Sequence, residues 1–193
     1  MKNALQEELD VEKIMAPESS IERRLLDEPS FRRGLLWGKP RFGHPEGKIV
    51  LHIREVLDNI DQLNITDNER HQLRLIAYAH DTFKYQEIKG HPRDWSQHHG
   101  KIARRFMTQY SDDSTILDII DLHDEAYYSW RHTHVYRDSL RGQNRLESLL
   151  NQIGANIQLY YLFFKCDTRT GDKNQSPLKW FENNVPGIDI VDF

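Results

Sequence analysis

Residues 67–84 read DNERHQLRLIAYAHDTFK, and the spacing of their apolar side chains decides the fold. Leu73, Ile76 and Ala77 recur at the three- and four-residue steps of one helix face, and Phe83 extends the stripe. His80 stands four beyond Ile76 and three beyond Ala77, so it lies on that face. Asp81, four beyond Ala77, flanks it. The helix therefore carries an imidazole and a carboxylate towards the core, and Thr66 with Glu69 forms a capping box at its start.

The same period recurs along the chain. It predicts helices over 19–35, 47–63, 67–84, 96–110, 113–128 and 143–169, a short one near 177–183 and one before residue 15. Punctuation is confined to Gly38–Gly47, Gly90–Pro92 and Gly171–Pro177. Ser114 is placed to cap the helix that begins with Thr115. No run of clean alternation bounded by hairpin turns is present, and no repeat or low-complexity stretch. The expectation is an all-α, single-domain helical bundle over residues 19–193, with residues 1–18 as a loosely attached lead-in. A chain of 193 residues is long enough to bury one core unaided.

Composition narrows the function classes. Apolar residues at 38% and charged residues at 29% describe a globular protein rather than a disordered one. The formal charge of -4 provides no basic field for duplex nucleic acid. The first ten residues, MKNALQEELD, have no signal-peptide pattern, and no apolar run approaches the ~18 residues of a membrane span. The expectation is a cytoplasmic protein with no membrane partner and its oligomeric state open. The single cysteine, Cys166, excludes an internal disulfide and a thiolate cage, so any metal is held by nitrogen and oxygen. Cys166 itself reads as a small buried residue.

Ten histidines are the compositional oddity. His52 falls between Ile49 and Val56 on the stripe Ile49, Ile53, Val56, Leu57, Ile60. His99 precedes Ile102, Ala103 and Phe106 by three, four and seven residues. His123 lies within the stripe of Ile116, Ile119, Ile120 and Tyr127. Asp167 follows Phe164 by three at the end of the stripe that begins with Leu146. Five helices thus each aim an imidazole or a carboxylate inward. A lone core histidine is most often one hydrogen-bonded to a carbonyl. Five such positions with two carboxylates are another matter, because each unpartnered buried carboxylate costs several kcal/mol. A divalent cation offsets both, and four nitrogens with two carboxylates hold two ions if one carboxylate bridges.

The order His52, then His80-Asp81, then Asp167 resembles the H…HD…D signature of the HD-domain superfamily, over about residues 44–173. HDTFK is similar to the HDxxK form, with Lys84 one turn after the pair. His99, in HHGKIA, and His123 match the two additional histidines of dinuclear members, which include diadenosine tetraphosphate hydrolases and cyclic-dinucleotide phosphodiesterases. HPEGKIVLH, from His44 to His52, looks like the opening of the HD domain of bacterial tRNA nucleotidyltransferases. The GYP extension of the cyclic-di-GMP enzymes is absent.

The resemblance implies a helical bundle around a central metal site. It also implies a phosphohydrolase that cleaves phosphate esters or anhydrides of a small nucleotide-like substrate with a metal-activated water. His52, His80, Asp81 and Asp167 would hold one ion, and His99 and His123 the other, with Asp81 bridging. The ions would be Fe, Mn, Co or Ni rather than Mg alone. Asp81 and Lys84 would be catalytic. Lys84, Arg169, Lys173, Arg41, His44 and Arg131 would meet the substrate, with Lys39 near them in a basic lid over 37–47, although Lys84, Arg169 and Lys173 also read as solvated surface residues and the 37–47 loop as a plain connector. Asp124 either orients a ligand histidine or faces water. Tyr127, Tyr128 and Trp130 either stack a base or pack a neighbouring helix. Two alternatives stay open: a mixed-valence di-iron oxygenase, which uses a similar ligand set, and a non-catalytic binding module.

Overall fold

In the computed structural model, residues 9–88 and 90–193 are described. They form an all-α bundle of eleven helices: α1 Val11–Met15, α2 Ser20–Asp27, α3 Pro29–Leu35, α4 Ile49–Ile60, α5 Asp67–Ala79, α6 His99–Met107, α7 Ser114–Leu122, α8 Glu125–His134, α9 Ser139–Ile153, α10 Ile157–Thr168 and α11 Ser176–Asn184. Among the described residues the only β pairing is an isolated bridge between Arg41 and His44. No described helix is long and apolar enough to cross a membrane.

Helix α5 is central, with α4, α7 and α10 packed around it. Its stripe is fully buried, as are the facing Ile53, Val56 and Leu57 of α4, Ile119 and Ile120 of α7 and Tyr160 and Tyr161 of α10. The capping box closes as expected, with Glu69 N–H on Thr66 Oγ1 and Thr66 N–H on Glu69 Oε2. Cys166 is free and buried. Residues 1–8 of the expected lead-in lie outside the described residues, but the rest of it is packed. Val11 and Met15 are buried, and Tyr78 Oη donates to the Met15 carbonyl at 2.8 Å.

Four of the expected helices end or divide elsewhere. The stretch 19–35 breaks at Glu28, which is extended because a residue before proline avoids the helical region, and Pro29 then opens α3. The stretch 143–169 breaks at Gly154, whose φ of 54° and ψ of -127° ends α9. The stretch 113–128 ends at Leu122, and a separate helix, α8, runs on to His134. The stretch 67–84 ends at Ala79, so the His80-Asp81 pair sits in the turn that follows α5.

Candidate metal centre

His52, His80, Asp81, His99 and His123 are all at most 4% exposed, and with Asp167 they meet in one interior site. His52 Nε2 lies 3.3 Å from His80 Nε2 and 2.9 Å from Asp167 Oδ1. Asp81 Oδ2 is 3.7 Å from His52 Nε2 and 3.5 Å from His80 Nε2. The other oxygen of the same carboxylate faces the other way: Asp81 Oδ1 is 3.3 Å from His99 Nε2 and 3.5 Å from His123 Nε2. These two nitrogens are 3.1 Å apart. Two donor groups, His52–His80–Asp81 and Asp81–His99–His123, can each hold a metal ion.

The tautomers follow from what stands behind each ring. His80 Nδ1 and His123 Nδ1 face the Ala77 and Ile120 carbonyls at 2.9 and 2.8 Å. A carbonyl only accepts, so each Nδ1 carries a proton and each Nε2 is turned into the site. His99 Nδ1 donates to Glu87 Oε2 at 2.8 Å. Thr170 Oγ1 donates its own proton to the Asp167 carbonyl and is left to accept from His52 Nδ1 at 3.4 Å. Four Nε2 atoms therefore converge with their rings held from behind, which is how ligand histidines are oriented.

Both carboxylates of the donor groups are held in their ionised form. Burial works against charge on Asp81, but the Lys84 ammonium and the neighbouring imidazoles hold its carboxyl well below the usual range. Lys173, with His52 and His80, does the same for Asp167 against its burial. Burial, reinforced by Lys173, lowers His52 to about 4 and keeps it neutral. His123 goes the other way: burial opposes its charge, yet the carboxylates of Asp124 and Asp81 raise it to about 9, so without an ion its Nε2 also carries a proton, which a bound ion would displace. Behind His99, burial would raise Glu87, but its bonds to His99 and Arg93 hold it at about 2.

The site opens into a cavity of about 570 Å³ whose walls include Arg41, His44, Lys84, Arg131 and Lys173. Lys84 Nζ pairs with Asp81 Oδ2, and Lys173 Nζ with Asp167 Oδ1 at 2.9 Å. Tyr127 and Tyr128 line the same cavity, while Trp130 stacks on Tyr127 and on His134. The segment expected as a basic lid is a tight turn over 41–44, tied by Gly43 N–H to Asp172 Oδ1 at 2.7 Å. Lys39 is exposed and outside the cavity walls.

Arg169 is not brought to the cavity. It caps the end of α10, its side chain turns outward, and the guanidinium lies over the Phe193 ring at 5.2 Å from its centroid. Sequence reasoning missed Glu87 and the role of His98. His98 accepts from Gly100 N–H at Nδ1, and its Nε2 faces Asp124 Oδ2 at 3.3 Å. Its place beside His99 in the HHG triplet was the available signal. The chain matches no protein-family model, no curated protein and no solved structure.

Proposed function

We propose that this protein is a metal-dependent phosphohydrolase of the HD type, with two transition-metal ions shared across Asp81 and a phosphorylated, nucleotide-like small molecule as substrate. The observation that carries this reading is the division of Asp81, with each carboxylate oxygen facing a different pair of imidazole Nε2 atoms. Most of these donor separations, 3.1–3.7 Å, exceed those of good N–H···O bonds. They match donors that each lie about 2.0–2.2 Å from a common ion, which are about 2.8–3.6 Å from one another. Neutral imidazole with carboxylate is a donor set for Fe, Mn, Co, Ni or Zn rather than for Mg alone.

Ions held there would acidify a bound water and neutralise charge on the phosphate oxygens. The chain supplies the rest. Glu87, Thr170 and the two helix-end carbonyls keep the Nε2 atoms aimed inward. Lys84 and Lys173, beside Asp81 and Asp167 on the cavity wall, would meet the remaining phosphate oxygens, and Arg41 and Arg131 on the same wall would meet a second phosphate. Tyr127 and Tyr128 offer ring surface to a base. The complete donor set speaks against a non-catalytic module. The test is a phosphate-release screen over nucleotides with Mn(II) or Co(II) present: turnover of one class, abolished in Asp81→Ala, supports the reading. Oxygen uptake with iron, and no phosphate release, would move it to the oxygenase alternative.

A further inference from the structure

We infer that Asp124 is a seventh metal ligand, completing the second ion's site so that each ion is held by two histidines and two carboxylates. The inference rests on the two-metal reading above. Neither the sequence periodicity nor the HD-type pattern assigns Asp124 this role.

The chain builds one helix-end device twice. α5 stops at Ala79 and α7 at Leu122, and the next residue in each case is a histidine at the helix C-cap with αR backbone. Each of these histidines bonds Nδ1 to the carbonyl three residues back, His80 to Ala77 and His123 to Ile120. Each is followed by an aspartate whose carboxylate turns into the site. Asp81 is the first such residue and Asp124 the second.

The distances follow the same pattern. At the first site the imidazole pair is 3.3 Å apart, and Asp167 Oδ1 lies 2.9 and 3.5 Å from His52 and His80. At the second the pair is 3.1 Å apart, and Asp124 Oδ2 lies 3.5 and 3.7 Å from His99 and His123. Those last separations are too long for hydrogen bonds and fit donors sharing an ion. Apart from imidazoles, Asp124 has no ion-pair partner among the described residues. His98 holds the carboxylate in place: with Nδ1 occupied by Gly100 N–H, its proton is on Nε2 and points at Asp124 Oδ2. His98 is thus a positioning residue for Asp124.

Mn(II) titration of the full chain, followed by calorimetry and electron paramagnetic resonance, tests this. The wild type should take up two ions with a spin-coupled signal. Asp124→Ala should take up one, with an uncoupled signal. Asp124→Asn keeps an acceptor for His98 and so guards against a folding failure; it should weaken the second ion by more than about tenfold. Two ions held by both variants with wild-type affinity overturn the assignment, as does a wild-type chain that takes up no second ion. The phosphohydrolase reading fails separately, if the chain loads two ions and cleaves no phosphate ester.

Discussion

His99 and His123 bring their Nε2 atoms to 3.1 Å across the contact between α6 and α7, and the residue after His99 is what permits it. A Cβ on Gly100 would lie 2.8 Å from the Asp121 carbonyl oxygen and 2.9 Å from that of Ile120, closer than real side chains come. Gly100→Val should therefore push α6 off α7, at a cost of about 1–3 kcal/mol from overpacking. Thermal denaturation should show the loss, and Mn(II) calorimetry should show weaker uptake of the second ion. A variant that melts and binds as the wild type would mean that the helix contact does not set the distance between the two ligands.

The two cations next to the carboxylates should separate from the one that is not. Lys84→Ala should lower kcat/KM on the best nucleotide by about 1.5–3 kcal/mol, roughly 10–150-fold, if a charge-assisted contact to phosphate is lost. Arg169→Ala should leave kcat/KM unchanged, because its guanidinium rests on Phe193. Steady-state kinetics of the two variants decide it, and the reverse ranking would place the phosphate on the wrong side of the cavity.

Stability at low pH should depend on Glu22. Its side chain is fully buried, and Arg74 grips both its oxygens, Nε to Oε1 at 2.9 Å and Nη2 to Oε2 at 3.0 Å. Burial alone would raise the Glu22 carboxyl, but the bonds to Arg74 take it below its ordinary 4.5. A carboxylate lowered on folding contributes stability above its unfolded pKa, and that contribution is lost as pH falls through the folded value. Urea midpoints of the wild type should thus drop below about pH 4.5 more steeply than those of Glu22→Gln. At pH 7 the variant should be weaker by about 1–3 kcal/mol, since the charge-assisted pair with Arg74 is lost while Glu18 still holds the guanidinium at 3.2 Å. Parallel pH curves would show that the pair does not set acid stability.

Much of this architecture is legible in the stripe positions. His52, His80, His99, His123 and Asp167 each fall where period 3.6 puts an inward residue, and such patterns survive small errors in helix ends. Helix ends themselves carry the rest. Asp124 stands four beyond Ile120 and three before Tyr127, so the period puts it on the flank of the stripe beside His123, as it puts Asp81 beside His80, but the period alone does not say that it meets the other ligands. The stop of α7 at Leu122, which puts His123 at the helix C-cap, is what the stripe does not show, and no glycine or proline marks it. Arg169 is the converse: its place two residues after Asp167 suggests the pocket, but the end of α10 swings it towards Phe193. The break at Glu28 was readable from Pro29, because a residue before proline avoids the helical region.

The central claim is that Asp81 holds two ions at once, and metal stoichiometry tests it most directly. Elemental analysis and Mn(II) titration of the purified chain should give two ions per wild-type molecule. Asp81→Ala should give none held tightly, because the single substitution removes an oxygen from each site, while its far-ultraviolet circular dichroism stays that of an all-α fold. A wild-type chain that takes up no transition metal, or an Asp81→Ala chain that still holds two ions with wild-type affinity, would contradict the account.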